Sequence, residues 1–332
     1  MKGNHPVYIT ARIRGKGNHG HQLKDLLGAL VIARLFKLEY VHSPYPYLDF
    51  SGIQTQYRGV AEIRSQHVQL KRKKVSVGRK ARGWTGLSLN SIRQLIAPIL
   101  RQPRNKPLLL VLDNGPGRAL RVHPCQVSHW HSQGLIRDNI FEELSPILES
   151  SFLSHDFQSP PQGHITIAAH INRGSDYHGK TLKAKGRVRK SFGEAGSPRY
   201  FFPLSYYERI FSQIQRLARG YPYGIKIYTE KLNSDAIVKK FKEHPNIQLC
   251  IGRNREEGDH SQVQDIFHQF IASDILIVSN SSFSSTASYF RGKRPTIYHP
   301  HDQLFGLPAD RYLPTDLEGN FNVERLKPLF SI

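Results

Sequence analysis

SDILIVSNSSFSSTASYFRGKRPTIY, from Ser273 to Tyr298, holds a strand, a turn and a helix in quick succession. Asp274 to Ser279 is a short apolar and β-branched run, which reads as a buried strand. Asn280, Ser281 and Ser282 follow directly, and such side chains favour a helix N-cap over a strand interior. Phe283, Ala287, Tyr289 and Phe290 then fall at roughly helical spacing, and Gly292 closes the helix. The turn is expected to point backbone N–H groups and hydroxyls outward at a helix N-terminus, an arrangement suited to a phosphate or diphosphate. A polar cap on an ordinary strand–helix unit accounts for the same residues, so both readings stay open.

Working back from this stretch, strands and helices alternate. Ile165–Ile171, Gly224–Glu230 and Ile247–Ile251 read as strands, and Leu204–Arg219, Leu232–Glu243 and Gln262–Ser273 as helices. Such alternation implies a parallel sheet with helices on both faces, and ligands of such sheets sit at the carboxyl ends of the strands. The loops after His170, Glu230 and Ser279 therefore converge on one crevice. HDFQSPPQGH, His155 to His164, is a linker by composition. It separates an N-terminal domain, 1–155, from a C-terminal one, 164–332.

The first domain opens with a strand over Val7–Ile13, a GKGNHG turn, and apolar positions at helical spacing across Gln22–Lys37. Gly15, Gly17 and Gly20 match the dinucleotide fingerprint between strand and helix, and Glu39 falls near the position of a ribose-binding acid. Yet Lys16, Asn18 and His19 are bulky for a close pyrophosphate turn, and Glu39 starts its strand instead of ending it. Pro107–Asn114 is a buried strand ending in Asp113, and Ile136–Ser150 reads as a helix. Between Phe50 and Leu100 the pattern blurs. Lys71–Arg82 carries seven Lys or Arg in twelve residues and reads as a basic surface loop.

The 332 residues suffice for two domains. Apolar residues make up 39%, with 15 Tyr and 17 Phe, which excludes a disordered chain. No run is long enough for a transmembrane helix, and the start lacks an apolar signal region, so a cytoplasmic protein is expected. Cys125 and Cys250 are too few for a disulfide framework or a four-ligand zinc site. The net charge of +21 demands an anionic partner: nucleic acid, anionic lipid or a phosphorylated substrate.

Arg173 lies just beyond a strand in HINRGSDY, and the serine turn lies beyond another. A guanidinium and helix N-terminal amides together make a diphosphate clamp. HINRGSDY and SNSSFSSTASYF resemble the HxRR(G/T)D and SNSSFSWWAA-type motifs of the fucosyltransferase superfamily of GT-B glycosyltransferases. GKGNHGHQLKDLLGALVIARLF resembles that family's GGLGNQLFQYAAGLALA opening. PLSYYERIF and the strand from Ile225 fall in the expected order. There are departures: Asn172 stands for the family's first arginine, Ser175 separates Gly174 from Asp176, and Ser285 and Thr286 replace the aromatic pair. The clamp could then be completed by Lys180 or Arg187.

The resemblance implies two Rossmann-like domains facing a cleft, and an inverting, metal-independent transfer of a sugar, with fucose from GDP-fucose the first choice. A glycan or glycolipid would be the acceptor, held by the N-terminal domain. It implies donor contacts from His170, Asn172, Arg173, Ser279, Asn280, Ser281, Ser282 and Phe283, with Gly17 and Asn18 from the first turn. Asp176, Glu194 and Asp25 are candidate bases, with Arg173 stabilising the leaving diphosphate. Asp259 and Asp265 are either nucleoside contacts or solvated helix-flank acids. The chain lacks a DxD-type metal motif, and the nucleotide sugar is a substrate, so no cofactor is expected. The basic segment suggests peripheral contact with an anionic membrane surface or an anionic acceptor. Two rivals remain: an NAD(P)-dependent oxidoreductase using Gly15, Gly17 and Gly20, and a nucleic-acid-binding protein using the charge.

Overall fold

A computed structural model describes residues 5–12, 19–45, 56–67, 69–75, 89–112, 130, 133–136, 140–153, 163–171, 190–192, 198–200, 202–230, 234–252, 261–279, 281–299 and 311–330. The chain is an α/β protein that divides into two compact units, Met1–Ser154 and His155–Ile332.

In the first unit, β1 (Val7–Ala11), β2 (Glu39–Tyr40), β3 (Lys71–Val75) and β4 (Leu108–Leu112) form a parallel sheet in the order β2-β1-β4-β3. β4, LLLVL, is buried at every position, as a strand between two neighbours under helices must be. α1 (His19–Leu35) is apolar around its circumference and correspondingly buried, from Leu23 and Leu27 to Val31 and Ile32. α2 (Val60–Gln66), α3 (Leu89–Arg101) and α4 (Ile140–Leu153) complete the described helices. α3 buries Leu89, Ile92, Ile96 and Ile99, one stripe at helical spacing. The expected basic surface loop needs correcting at its start. Lys71–Lys74 belong to β3, whose backbone pairs with β4 from Lys71↔Leu108 to Val75↔Leu112. Hydrogen bonding to an apolar partner strand makes this charged segment extended, against its composition.

In the second unit, six parallel strands run β12-β11-β10-β5-β8-β9. They are β5 (Ile165–His170), β8 (Tyr223–Glu230), β9 (Ile247–Gly252), β10 (Ile275–Ile277), β11 (Thr296–Tyr298) and β12 (Tyr312–Pro314). β6 (Lys190–Phe192) and β7 (Pro198–Tyr200) form a separate antiparallel pair. α5 (Leu204–Leu217), α6 (Ser234–Phe241), α7 (Ser261–Ala272) and α8 (Ser282–Ala287) alternate with the strands. Ile167, Ala169, Ile225, Ile227, Ile275 and Ile277 meet Tyr206, Ile210 and Phe211 of α5 in one core. A final 3-10 helix, Val323–Phe330, packs Leu326 and Phe330 into that core. Gly319 secures this strap: its φ is +90°, and an added Cβ would lie 2.4 Å from the Tyr206 carbonyl oxygen.

Candidate functional site

The strand order of the second unit places a topological switch. From β5 the chain builds outward through β8 to β9, then returns to the other side of β5 with β10, β11 and β12. Consecutive connections therefore leave β5 and β10 in opposite directions, and the carboxyl ends of those two strands flank the crevice where doubly wound sheets take their ligands. His170 ends β5, and Ser279 follows β10 by two residues.

The turn after β10 is tight: the Ser281 N–H donates to the Ser279 carbonyl at 2.6 Å. Ser281 has extended backbone angles and caps α8, its Oγ accepting from the Phe283 N–H. Beyond Ala287 the helix tightens into a 3-10 turn, Ser288–Phe290, and Gly292 at φ +58° ends it. The hydroxyls of Ser279, Ser281, Ser284 and Ser285 turn inward and not outward as expected. Ser285 Oγ donates to the Ser281 carbonyl at 2.7 Å, and Ser284 Oγ lies 2.9 Å from His170 Nδ1. Ser279 Oγ lies 3.3 Å from the same nitrogen. These serines are buried, so the turn can offer a ligand its main-chain N–H groups more than its hydroxyls. The His170 ring packs beside Phe270 and meets Phe283 edge-on. Two strands and a helix thus converge on one imidazole at the switch.

Arg291 holds this arrangement from behind. Its guanidinium is fully buried and donates to the carbonyls of Phe270, Ile271, Asp274 and Pro295 and to Ser273 Oγ. It thereby ties the end of α7 to the starts of β10 and β11. Burial, with Arg294 nearby, lowers its pKa to about 9, so it is charged at neutral pH. At the base of the same strands, Asp274 accepts from both the N–H and the hydroxyl of Thr166, pinning β10 to β5.

Beside the switch, a cleft of about 240 Å³ opens at the carboxyl ends of β8 and β9. It is lined by Tyr228, Cys250, Ile251 and Gly252 and by Gln262, Asp265 and Gln269 of α7. Burial pushes the Tyr228 phenol and the Cys250 thiol up, so both line the cleft as neutral groups. Gln262, Asp265 and Gln269 recur at i, i+3 and i+7, a polar stripe that is legible in the sequence. Asp265, expected either as a nucleoside contact or as a solvated acid, is exposed and stands at this cleft.

Of the other candidates, Gly17, Asn18, Asn172, Arg173, Asp176, Glu194 and Asn280 lie outside the described residues, as do Asp113, Lys180, Arg187 and Asp259. Ser282 is the first residue of α8 and Phe283 is half-buried. Asp25 is buried in α1. Glu39 begins β2, and its carboxylate is held by Arg58 through Nε and Nη2 at 2.7 Å each. It therefore sits at the opening end of its strand, already paired, and is not a ribose ligand at the carboxyl edge. The sequence reading missed Ser284, although its place three residues after the cap puts it on the same helix face.

No family model matches the chain, and no curated protein is similar in sequence. Among solved structures, the chain is similar to the fucosyltransferase NodZ from Bradyrhizobium, at 12% identity and a TM-score of 0.43 over 96% of this chain and 98% of that one. POFUT1, solved in complex with GDP-fucose, aligns at 12% identity and a TM-score of 0.46 over 92% of this chain and 99% of that one. UDP-GlcNAc 2-epimerase of Methanocaldococcus jannaschii aligns at 9% identity and a TM-score of 0.30, over 97% of this chain and 67% of that one.

Proposed function

We propose that the protein is a glycosyltransferase that binds a nucleotide-diphosphate sugar at the β5/β10 switch of its second unit. The observation that carries this reading is the meeting there of its two motifs. HINRGSDY begins with His170 at the end of β5, SNSSFSSTASYF begins with Ser279 just past β10, and side chains of the two hydrogen-bond to each other. Arg173, three residues past His170, would supply charge to the diphosphate, and the first turn of α8 would supply N–H groups. The cleft lined by Tyr228, Cys250 and Asp265 would receive the nucleoside, the Asp265 carboxylate accepting hydrogen bonds from a base or ribose.

In this reading the donor is GDP-fucose, the acceptor is a glycan, and transfer inverts the anomeric centre without a metal. The departing diphosphate gains charge as its bond to the sugar breaks, and arginine, lysine and helix dipoles can stabilise that charge. A carboxylate, with Asp176 and Glu194 the first candidates, takes the acceptor hydroxyl's proton. The oxidoreductase reading loses its acid, because Glu39 is bound by Arg58 at the opening end of β2.

A thermal-shift panel of GDP-, UDP- and CMP-sugars tests the assignment. A ligand at a hundred times its dissociation constant adds about 2.7 kcal/mol of stability. GDP-fucose is expected to give the largest shift, and transfer is expected to survive EDTA. Absence of a shift with every nucleotide sugar overturns the donor site. Activity lost to EDTA and restored by Mg²⁺ overturns the metal-free mechanism.

A further inference from the structure

β3 carries Lys71, Arg72, Lys73 and Lys74 in consecutive positions at the edge of the first unit's sheet, with β4 its one strand neighbour among the described residues. Successive side chains of a strand leave opposite faces, so Lys71 and Lys73 stand on one side and Arg72 and Lys74 on the other. At an edge, their long flexible stems let both rows reach the same rim. Lys71, Arg72 and Lys74 are exposed and Lys73 is half-buried. Lys71, Arg72 and Lys73 form no ion pair among the described residues. The Lys71 N–H donates to the Pro107 carbonyl, which sets exposed Lys106 beside the start of the row.

A single lysine is enough to discourage pairing at a sheet edge. Three lysines and an arginine in succession repel one another, and neighbours on one face stand only about 7 Å apart, twice the strand rise. Such a row is stabilised by an extended counter-charge of matching shape. A bilayer is a plane, whereas this feature is a line about 10 Å long. Single-stranded nucleic acid is gripped by stacking on aromatic rings, and β3 contains none. A flexible chain with acidic groups along its length meets cations alternately from both sides.

We propose that Lys71–Lys74 on the outer edge of β3 form a docking strip for a linear polyanionic glycan. The acceptor of the transfer proposed above is then an acidic polysaccharide. This last step rests on the glycosyltransferase reading; the strip itself does not.

The test uses the full chain with polygalacturonate, neutral dextran, phosphatidylserine vesicles and poly(U) RNA as probes. The variant Lys71→Thr/Arg72→Thr/Lys73→Thr keeps residues suited to a strand. The single variant Arg72→Thr, at an exposed position, serves if the triple does not fold. Wild-type protein is expected to bind polygalacturonate and not dextran, with log affinity falling linearly against log salt. At about 0.7 per neutralised charge, the triple variant should lower that slope by about 2 and the single variant by about 0.7. Affinity should fall at least tenfold in the triple variant while GDP affinity stays constant. An unchanged slope overturns the strip, and so does a larger loss on vesicles or RNA than on polygalacturonate. Strip binding intact in a protein that binds no nucleotide sugar would leave this inference standing and overturn only the donor site.

Discussion

His170 Nδ1 and Ser284 Oγ lie 2.9 Å apart although 114 residues separate them in the chain. The contact joins the end of β5 to the first turns of α8, and Ser279 Oγ stands 3.3 Å from the same nitrogen. Losing a buried hydrogen-bond partner costs about 1–3 kcal/mol when nothing replaces it. Ser279 can replace it here. Ser284→Ala is expected to cost less than that, and Ser279→Ala/Ser284→Ala more than the sum of the single variants. Urea unfolding of the three variants checks this, and simple additivity would rule out the shared imidazole.

Donor binding is expected to depend on Arg173, three positions past the end of β5 in the sequence. Removing a hydrogen bond to a charged group costs about 1.5–3 kcal/mol. Calorimetric titration of Arg173→Ala with GDP should show that loss. Unchanged affinity would assign the diphosphate to other cations.

Arg291→Lys should destabilise the second unit despite keeping the charge. One ammonium cannot serve the carbonyls of Phe270, Ile271, Asp274 and Pro295 together, whereas the planar guanidinium does. With at least one buried carbonyl left unsatisfied, a loss of about 1–3 kcal/mol is expected in urea unfolding. Stability equal to wild type would mean the carbonyl contacts are dispensable.

His42 gives a pH dependence of definite sign. Burial lowers its pKa from 6.5 to about 4. Below pH 6.5 the unfolded chain takes up a proton that the folded chain refuses, so stability falls from about pH 6.5 down to about pH 4. Below pH 4 the contribution is fully lost. At about 1.4 kcal/mol per pKa unit the total is about 3.5 kcal/mol. His42→Gln should flatten the stability profile across that window, and an unchanged profile would mean other groups set the acid limit.

How far the sequence could be read depended on whether local pattern or long-range pairing formed each element. The strands around Ile165–His170 and Leu108–Leu112 are legible because a buried parallel strand is an uninterrupted apolar run. β3 is not, because KRKK has no strand pattern and is held extended by hydrogen bonds to β4. The two motifs at the switch are legible as residues and as positions after strands. That their serines turn inward to His170 is not, since N-cap chemistry looks alike whichever way the remaining hydroxyls face. Strand order is equally invisible: nothing in Ile275–Ile277 announces that it lies against β5.

That pairing has a consequence for how the protein is made. β5 is among the first strands of its unit to leave the ribosome, yet its flank stays bare until β10 arrives, with Thr166 bonding Asp274 at a sequence separation of 108. Contacts of such long sequence separation form slowly, because a large loop must close before any of them is rewarded. Until β10 is made, β5, β8 and β9 can pair only among themselves, with one edge of β5 open. The crevice does not exist during that interval. A chain interrupted before Ile277 would keep that edge of β5 unpaired, and an unpaired strand edge invites aggregation.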